Sequence, residues 1–156
     1  MRKIIKNVKI YLWSVVLILI DQISKIIVIK NLKDTSITVI NGILKFNYCE
    51  NRGVAFSILE GKIPLFIIIT SIIIIGLIIY YEKLKNKINL FQKISISIVL
   101  AGGISNLIDR IFRGYVIDFI DINELFTYAI FNIADIFIVL GIIGMGISIL
   151  ITKEEK

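Results

Sequence analysis

The sequence predicts an all-α integral membrane protein, four transmembrane helices with a small extracytoplasmic β-sheet between helices 1 and 2. Three observations predict it. Of 156 residues 57% are hydrophobic, with a mean hydropathy of +0.90, too apolar for a soluble domain that must keep a mostly polar surface. The apolar residues fall in four long runs with few charges. The basic residues stand in short clusters beside those runs, as membrane topology signals do, and not in a stripe that would suit a nucleic-acid partner despite the net charge of +6.

A bilayer core is spanned by roughly 20 helical residues, range about 17–25. The first span is expected over about 8–29 and is broken only near its end by Asp21, Gln22 and Lys25. Its basic start resembles a secretory leader, but the apolar run is long for one and no small-residue cleavage site follows, so it is read as a retained helix. Segment 35–58 is expected to hold a β-hairpin: Ile37 and Val39, then Asn41-Gly42, then Leu44, Phe46 and Tyr48 read as two strands about a turn that needs positive φ. The second span, about 64–81, carries no charge. The third, about 92–110, reaches full length only with its polar ends at the interface. The fourth, about 134–152, contains Gly141, Gly144 and Gly146. No internal repeat or linker divides the chain, so residues 1–156 are read as one membrane domain.

Arg2, Lys3, Lys6 and Lys9 precede the first span, Lys83, Lys85, Lys87 and Lys93 fill the second connection, and Lys153 and Lys156 follow the fourth span. Positive residues stay inside, which puts both termini and the 82–93 loop in the cytoplasm and segments 31–63 and 111–133 outside.

Absent residue types narrow the chemistry. No His occurs, which excludes Ser-His and Cys-His nucleophile pairs and His-ligated metal. Cys49 stands alone, so no internal disulfide or CxxC site exists. No metal and no cofactor is expected. The acids and amides gather on one membrane face: Asp21, Asp109 and Asp135 at outer helix ends, Asp118, Asp121 and Glu124 in the outer loop, with Asn51, Asn106 and Asn132 beside them. Each has a structural reading. Asp21 and Lys25 can pair across one helical turn, Asp109 and Arg110 can form an interfacial pair, Asp135 can cap its helix and Asp118 can serve a turn. A charge at the bilayer centre costs about 2.5–3.5 kcal/mol on insertion scales, less near helix ends, so cost alone proves no function. Together they suggest more. Asp118 and Asp135 flank one short loop and can converge, and two carboxylates in one site share a proton near neutral pH. That supplies a general base for water and a general acid for a leaving amine.

Four blocks carry a resemblance: Asp21-Gln-Ile-Ser-Lys25, Asn51-Arg-Gly-Val-Ala-Phe-Ser57, Gly102-Gly-Ile-Ser-Asn-Leu-Ile-Asp-Arg110, and the pair Val116-Ile-Asp-Phe119 with Phe131-Asn-Ile-Ala-Asp135. In this order the chain resembles signal peptidase II, the lipoprotein signal peptidase, over essentially its whole length. The resemblance implies an intramembrane aspartic endopeptidase of the bacterial cytoplasmic membrane that removes signal peptides from diacylglyceryl-modified prolipoproteins, cutting just before the lipidated Cys. It implies Asp118 and Asp135 as catalytic residues. Asp21, Lys25, Asn51, Gly53, Asn106, Asp109, Arg110 and Asn132 would shape the site or hold substrate. Membrane lipids would be partners, and a globomycin-type cyclic peptide an inhibitor. Val54, Ser105 and Ile136 depart from the usual family residues, which touches the fine shape of the site and no acid. The segment Asn51–Ser57 is expected to lie over the substrate.

The alternative is a non-enzymatic four-helix membrane protein, a small transporter or assembly partner. That reading expects polar residues threaded through the whole bilayer depth. Here spans two and four carry no charge through their depth.

Overall fold

The computed structural model describes residues 2–53, 62–122, 125–126 and 130–154, with side chains from residue 11 to residue 151 of these. The order is α1 (Arg2–Leu32), β1 (Ser36–Ile40), β2 (Leu44–Asn51), α2 (Ile63–Leu84), α3 (Leu90–Phe112), β3 (Val116–Asp121), β4 (Ile130–Phe131) and α4 (Ile133–Glu154). All four helices are long and apolar enough to cross a membrane, as the sequence predicts. Their ends follow local chemistry. Pro64 lies in the first turn of α2, where its missing N–H costs nothing. Asn89 caps α3 by accepting the Gln92 backbone N–H at 2.8 Å. Gly114, at φ +75°, follows the last turn of α3 in the left-handed conformation that ends helices.

Side-chain pairs fix the helix directions. Tyr11 near the start of the first span donates to Glu82 at the end of α2 (2.6 Å), so these helices run antiparallel. Ser14 meets Ser97 (2.8 Å) and Lys25 meets Asn106 (3.0 Å), so α1 and α3 run parallel. Asn89 reaches Ser148 on α4, and Gly102 faces Ala134 and Ile138, so α3 and α4 run antiparallel. The end of α1, the end of α3 and the start of α4 therefore share one membrane face.

Helix α3 is the central post, with eleven buried residues along its length, whereas α2 buries only Ile74 and Tyr81. Its closeness to α4 depends on glycine. A Cβ on Gly102 would strike the Ala134 carbonyl, and one on Gly141 would lie 2.5 Å from Val99 Cγ2. Gly144 abuts Ser95 in the same seam. Gly103 makes only ordinary contact with Ile74, so of the Gly102-Gly103 pair the first sets the packing. Trp13 is 62% exposed on the lipid-facing surface of α1.

The sheet is larger than the sequence reading expected. Its order is β1-β2-β3-β4, all neighbours antiparallel, so half of it comes from the connection between α3 and α4. Residues 116–121 were expected as outer loop. They form a strand buried from Val116 through Phe119 because Ile117 and Phe119 pack with Val28 and Leu32 at the end of α1, while Phe46, Tyr48 and Tyr115 close over them. A strand covered on both faces shows no alternation. The hairpin turn about Asn41-Gly42 stands where expected, with Gly42 at φ +73°. Of the segment expected over the substrate, Asn51–Gly53 are described, and 54–57 lie outside the described residues, as does Glu124.

Candidate active site

Asp118 projects from the middle of β3 and is 2% exposed. Asp135 is the third residue of α4. Asn132 caps that helix. Its Oδ1 accepts the Asp135 backbone N–H at 3.0 Å, and Asp135 Oδ2 accepts the Asn132 backbone N–H at 3.2 Å. This is a capping box built from Asn and Asp, so the structural reading of Asp135 as a cap holds for one of its oxygens. The other oxygen, Oδ1, accepts from Asn106 Nδ2 at 2.8 Å.

Two asparagines join the acids. Asn132 Nδ2 donates to Asp118 Oδ1 at 2.6 Å and to Asn106 Oδ1 at 3.2 Å. Asn51, at the end of β2, donates to Asp118 Oδ2 at 2.8 Å, and its own Oδ1 accepts from the Gly53 backbone N–H at 3.0 Å. Each of the four carboxylate oxygens thus meets a neutral amide donor. Burial pushes the Asp118 carboxyl up to about 7, with the charge of Asp135 adding to the rise and Asn51 and Asn132 opposing it. Asp118 is a strand residue, not a turn residue.

Behind the pair lies a second polar cluster. Lys25 is 0% exposed, and its Nζ reaches Asp21 Oδ2 at 2.7 Å, Asp109 Oδ2 at 2.8 Å and Asn106 Oδ1 at 3.0 Å. Asp21 Oδ1 accepts the Ala134 backbone N–H at 2.9 Å, so a carboxylate from α1 occupies the electropositive start of α4. Ser105 Oγ donates to Asp21 Oδ2 at 2.7 Å. Asp109 Oδ1 accepts from Gln22 Nε2 at 3.0 Å and pairs with Arg113, and its Oδ2 accepts from the Ile117 backbone N–H at 3.3 Å. The expected Asp109–Arg110 pair is replaced by this arrangement. Arg113 lies one turn beyond Asp109 on the same face, whereas Arg110 points around α3, over the Phe66 ring at 5.8 Å. Arg110 is not bonded to Asp109 but interacts electrostatically with Asp135, Asp118 and Asp109. Its Nε is buried without a partner among the described residues.

All of the sequence-predicted site residues therefore gather at one face. Asn51, Asn106, Asn132 and Arg110 surround Asp118 and Asp135, Gly53 supports Asn51, and Asp21, Lys25 and Asp109 form the cluster behind. Asp121 stands across from Lys45 at the far end of β3. Sequence reasoning missed Gln22, Arg113 and Ser105 as partners. Gln22 and Arg113 had a signal, since each lies on a helix turn next to a singled-out residue. Also missed was a brace beside Asn51, in which Tyr48 donates to Glu50 at 2.9 Å, and Arg52 both pairs with Glu50 at 2.8 Å and covers the Tyr115 ring at 5.4 Å. The Arg52 and Tyr48 hydrogen bonds hold the Glu50 carboxyl below its ordinary range.

The profile described as Signal peptidase (SPase) II matches residues 13–151. The chain belongs to the signal peptidase II family. A lipoprotein signal peptidase of Clostridium novyi (strain NT) is 41% identical over 142 residues, covering 89% of this chain and 94% of the relative. One of Caldicellulosiruptor bescii is 42% identical over 144 residues, covering 91% of each. A solved structure described as a bacterial membrane enzyme, obtained by the in meso method at 2.3 Å resolution, superposes with a TM-score of 0.81 at 37% identity over 96% of this chain and 90% of that one. A second of the same description, at 1.9 Å, gives 0.77. Family membership makes this a multi-pass bacterial membrane peptidase and sets aside the transporter and assembly-partner alternative.

Proposed function

We propose that this chain is an aspartic endopeptidase that removes the signal peptide from diacylglyceryl-modified prolipoproteins, cutting just before the lipidated Cys. Asp118 and Asp135 are its catalytic pair. The observation that carries this is two carboxylates at one membrane face, joined through Asn106 and Asn132 and, among the described residues, met directly only by neutral donors.

The pair holds one proton near neutral pH and binds a water between its carboxyls. The ionised carboxylate takes a proton as the water oxygen attacks the scissile carbonyl carbon. The protonated carboxyl then gives its proton to the leaving nitrogen, and the C–N bond breaks. No covalent intermediate or cofactor is needed. The buried Arg110 Nε, without a partner among the described residues, is a donor available to a substrate carbonyl. The acyl chains of the substrate stay in lipid beside the apolar helices while the scissile bond rests at the interface. With residues 1–156 as one membrane unit, the Lys83, Lys85, Lys87 and Lys93 cluster orients the termini to the cytoplasm and the acids to the extracytoplasmic face. A globomycin-type cyclic peptide is expected to compete for the site.

The test is purified protein in bilayers with a diacylglyceryl-modified prolipoprotein, products read by mass spectrometry. Cleavage leaving the lipidated Cys as the new amino terminus is expected. An intact substrate, or a cut at another bond, would contradict the proposal.

A further inference from the structure

The edge strand β1 presents an apolar face that the helix bundle leaves uncovered. Ile37 is 52% exposed and Ile40 48%. Strict alternation would put these two residues on opposite faces of the strand. The pairing does not alternate strictly: Ile37 stands across from Phe46, Thr38 from Lys45 and Ile40 from Leu44, with the register shifting between Thr38 and Ile40. Val39 is the extra residue of a β-bulge. Cross-strand partners share a face, and on β2 Leu44 and Phe46 lie two apart, so the bulge re-aims Ile40 to the side of Ile37, Leu44 and Phe46. Phe46 packs against the cluster of Val28, Leu32, Ile117 and Phe119 and stands across from Ile120, two residues along β3 from Asp118, which reaches Asn132 at the start of α4. This side of the sheet therefore looks toward the bilayer, and β1 carries it beyond the helices.

We infer that the β1–β2 hairpin is a lipid-binding element that beds Ile37 and Ile40 in the leaflet on the side of the acids. Two observations favour lipid over another occupant. The hairpin follows directly on the exposed apolar belt of α1, where Ile20, Ile23 and Ile27 are 46%, 54% and 54% exposed up to the turn that leads into β1. Exposed Lys30 and Lys33 stand at the root of the hairpin, where long basic side chains reach phosphate headgroups, and Asp34 is the one acid beside them. The consequence reaches the site, because β2 ends in Asn51, the donor to Asp118. A hairpin held at a fixed depth holds Asn51 at the height of the acids.

The test places a nitroxide, one at a time, at residues 36, 37, 38 and 40 in a Cys49→Ser background of the full chain. The protein is reconstituted in phosphatidylglycerol–phosphatidylethanolamine vesicles. Collision with oxygen, which concentrates in lipid, is compared with collision with a water-soluble nickel chelate. Oxygen should dominate at 37 and 40, and the chelate at 36 and 38. Chelate access at all four positions would place the hairpin in water and overturn the inference. Labels at 37 and 40 shielded from both probes would mean that protein, a second copy or a substrate chain, covers the face, and would overturn it equally. A strict alternation, with 40 grouped with 36 and 38, would overturn the bulge argument. The readout is independent of cleavage.

Discussion

Two groups of ionisable side chains meet at Asn106, and they are built on opposite principles. In the cluster of Asp21, Lys25, Asp109 and Arg113, two negative charges face two positive ones, and backbone and side-chain donors fill the remaining acceptors. In the pair of Asp118 and Asp135, two acids face each other, and their direct partners are neutral amides. Burial taxes the acids of both groups. The first answers with opposite charge and becomes a strut joining α1, α3 and α4. The second has no opposite charge bonded to it among the described residues, and in the proposed mechanism a shared proton takes that place. An ionisable residue near a membrane face is thus not functional by its type alone, and what decides is whether its charge has been answered.

The comparison breaks most visibly at the acids. Asp118→Asn and Asp135→Asn should each keep the fold and lose cleavage by at least about 10²–10⁴-fold, the usual share of general acid–base catalysis. Retained cleavage in either would remove that acid from the mechanism. Lys25→Met should act the other way, through stability, because it leaves Asp21 and Asp109 buried with reduced compensation. A loss of about 3–5 kcal/mol is expected for one partner removed from a buried ion pair. Thermal unfolding in detergent checks it, and Lys25→Met combined with Asp109→Asn should recover part of the loss.

The helices were legible in the sequence because apolar length is a one-dimensional signal. So was the gathering of acids, since topology places helix ends without any knowledge of packing. The division of labour among them was not legible. The i, i+4 spacing of Asp21 and Lys25 announced their ion pair, but nothing in it announced Asp109 as the second partner, 84 residues away from Lys25 along the chain. Strand β3 was read as loop because its covering comes from α1 and β2, both remote in sequence, and a strand buried on both faces shows no period of two. Ser105 looked like a departure affecting fine shape, and its hydroxyl proves to fill an acceptor on Asp21.

Smaller perturbations sharpen the account. Asn51→Ala removes a hydrogen bond that lowers the Asp118 pKa. The fall in kcat/KM with rising pH should therefore move upward from about 7 in this variant, with a modest drop in the maximum. An unmoved alkaline limb would detach Asn51 from the titration. Stability follows the same sign. The folded pKa of Asp118 lies above its unfolded value of about 3.9, so the folded state binds the extra proton. Its contribution is full below the unfolded pKa and is lost as pH rises through about 7. Unfolding midpoints measured between these limits should fall less steeply with pH in Asp118→Asn than in wild type.

The central claim, that the two acids share one proton because no opposite charge among the described residues is bonded to them, is tested most directly by the carboxyl ¹³C resonance of Asp118 followed through a pH titration in wild type and in Asp135→Asn. A wild-type midpoint near 7, falling when Asp135 loses its charge, is the predicted result. A midpoint in the ordinary carboxylate range in both proteins would contradict it and return Asp118 to the ranks of compensated acids.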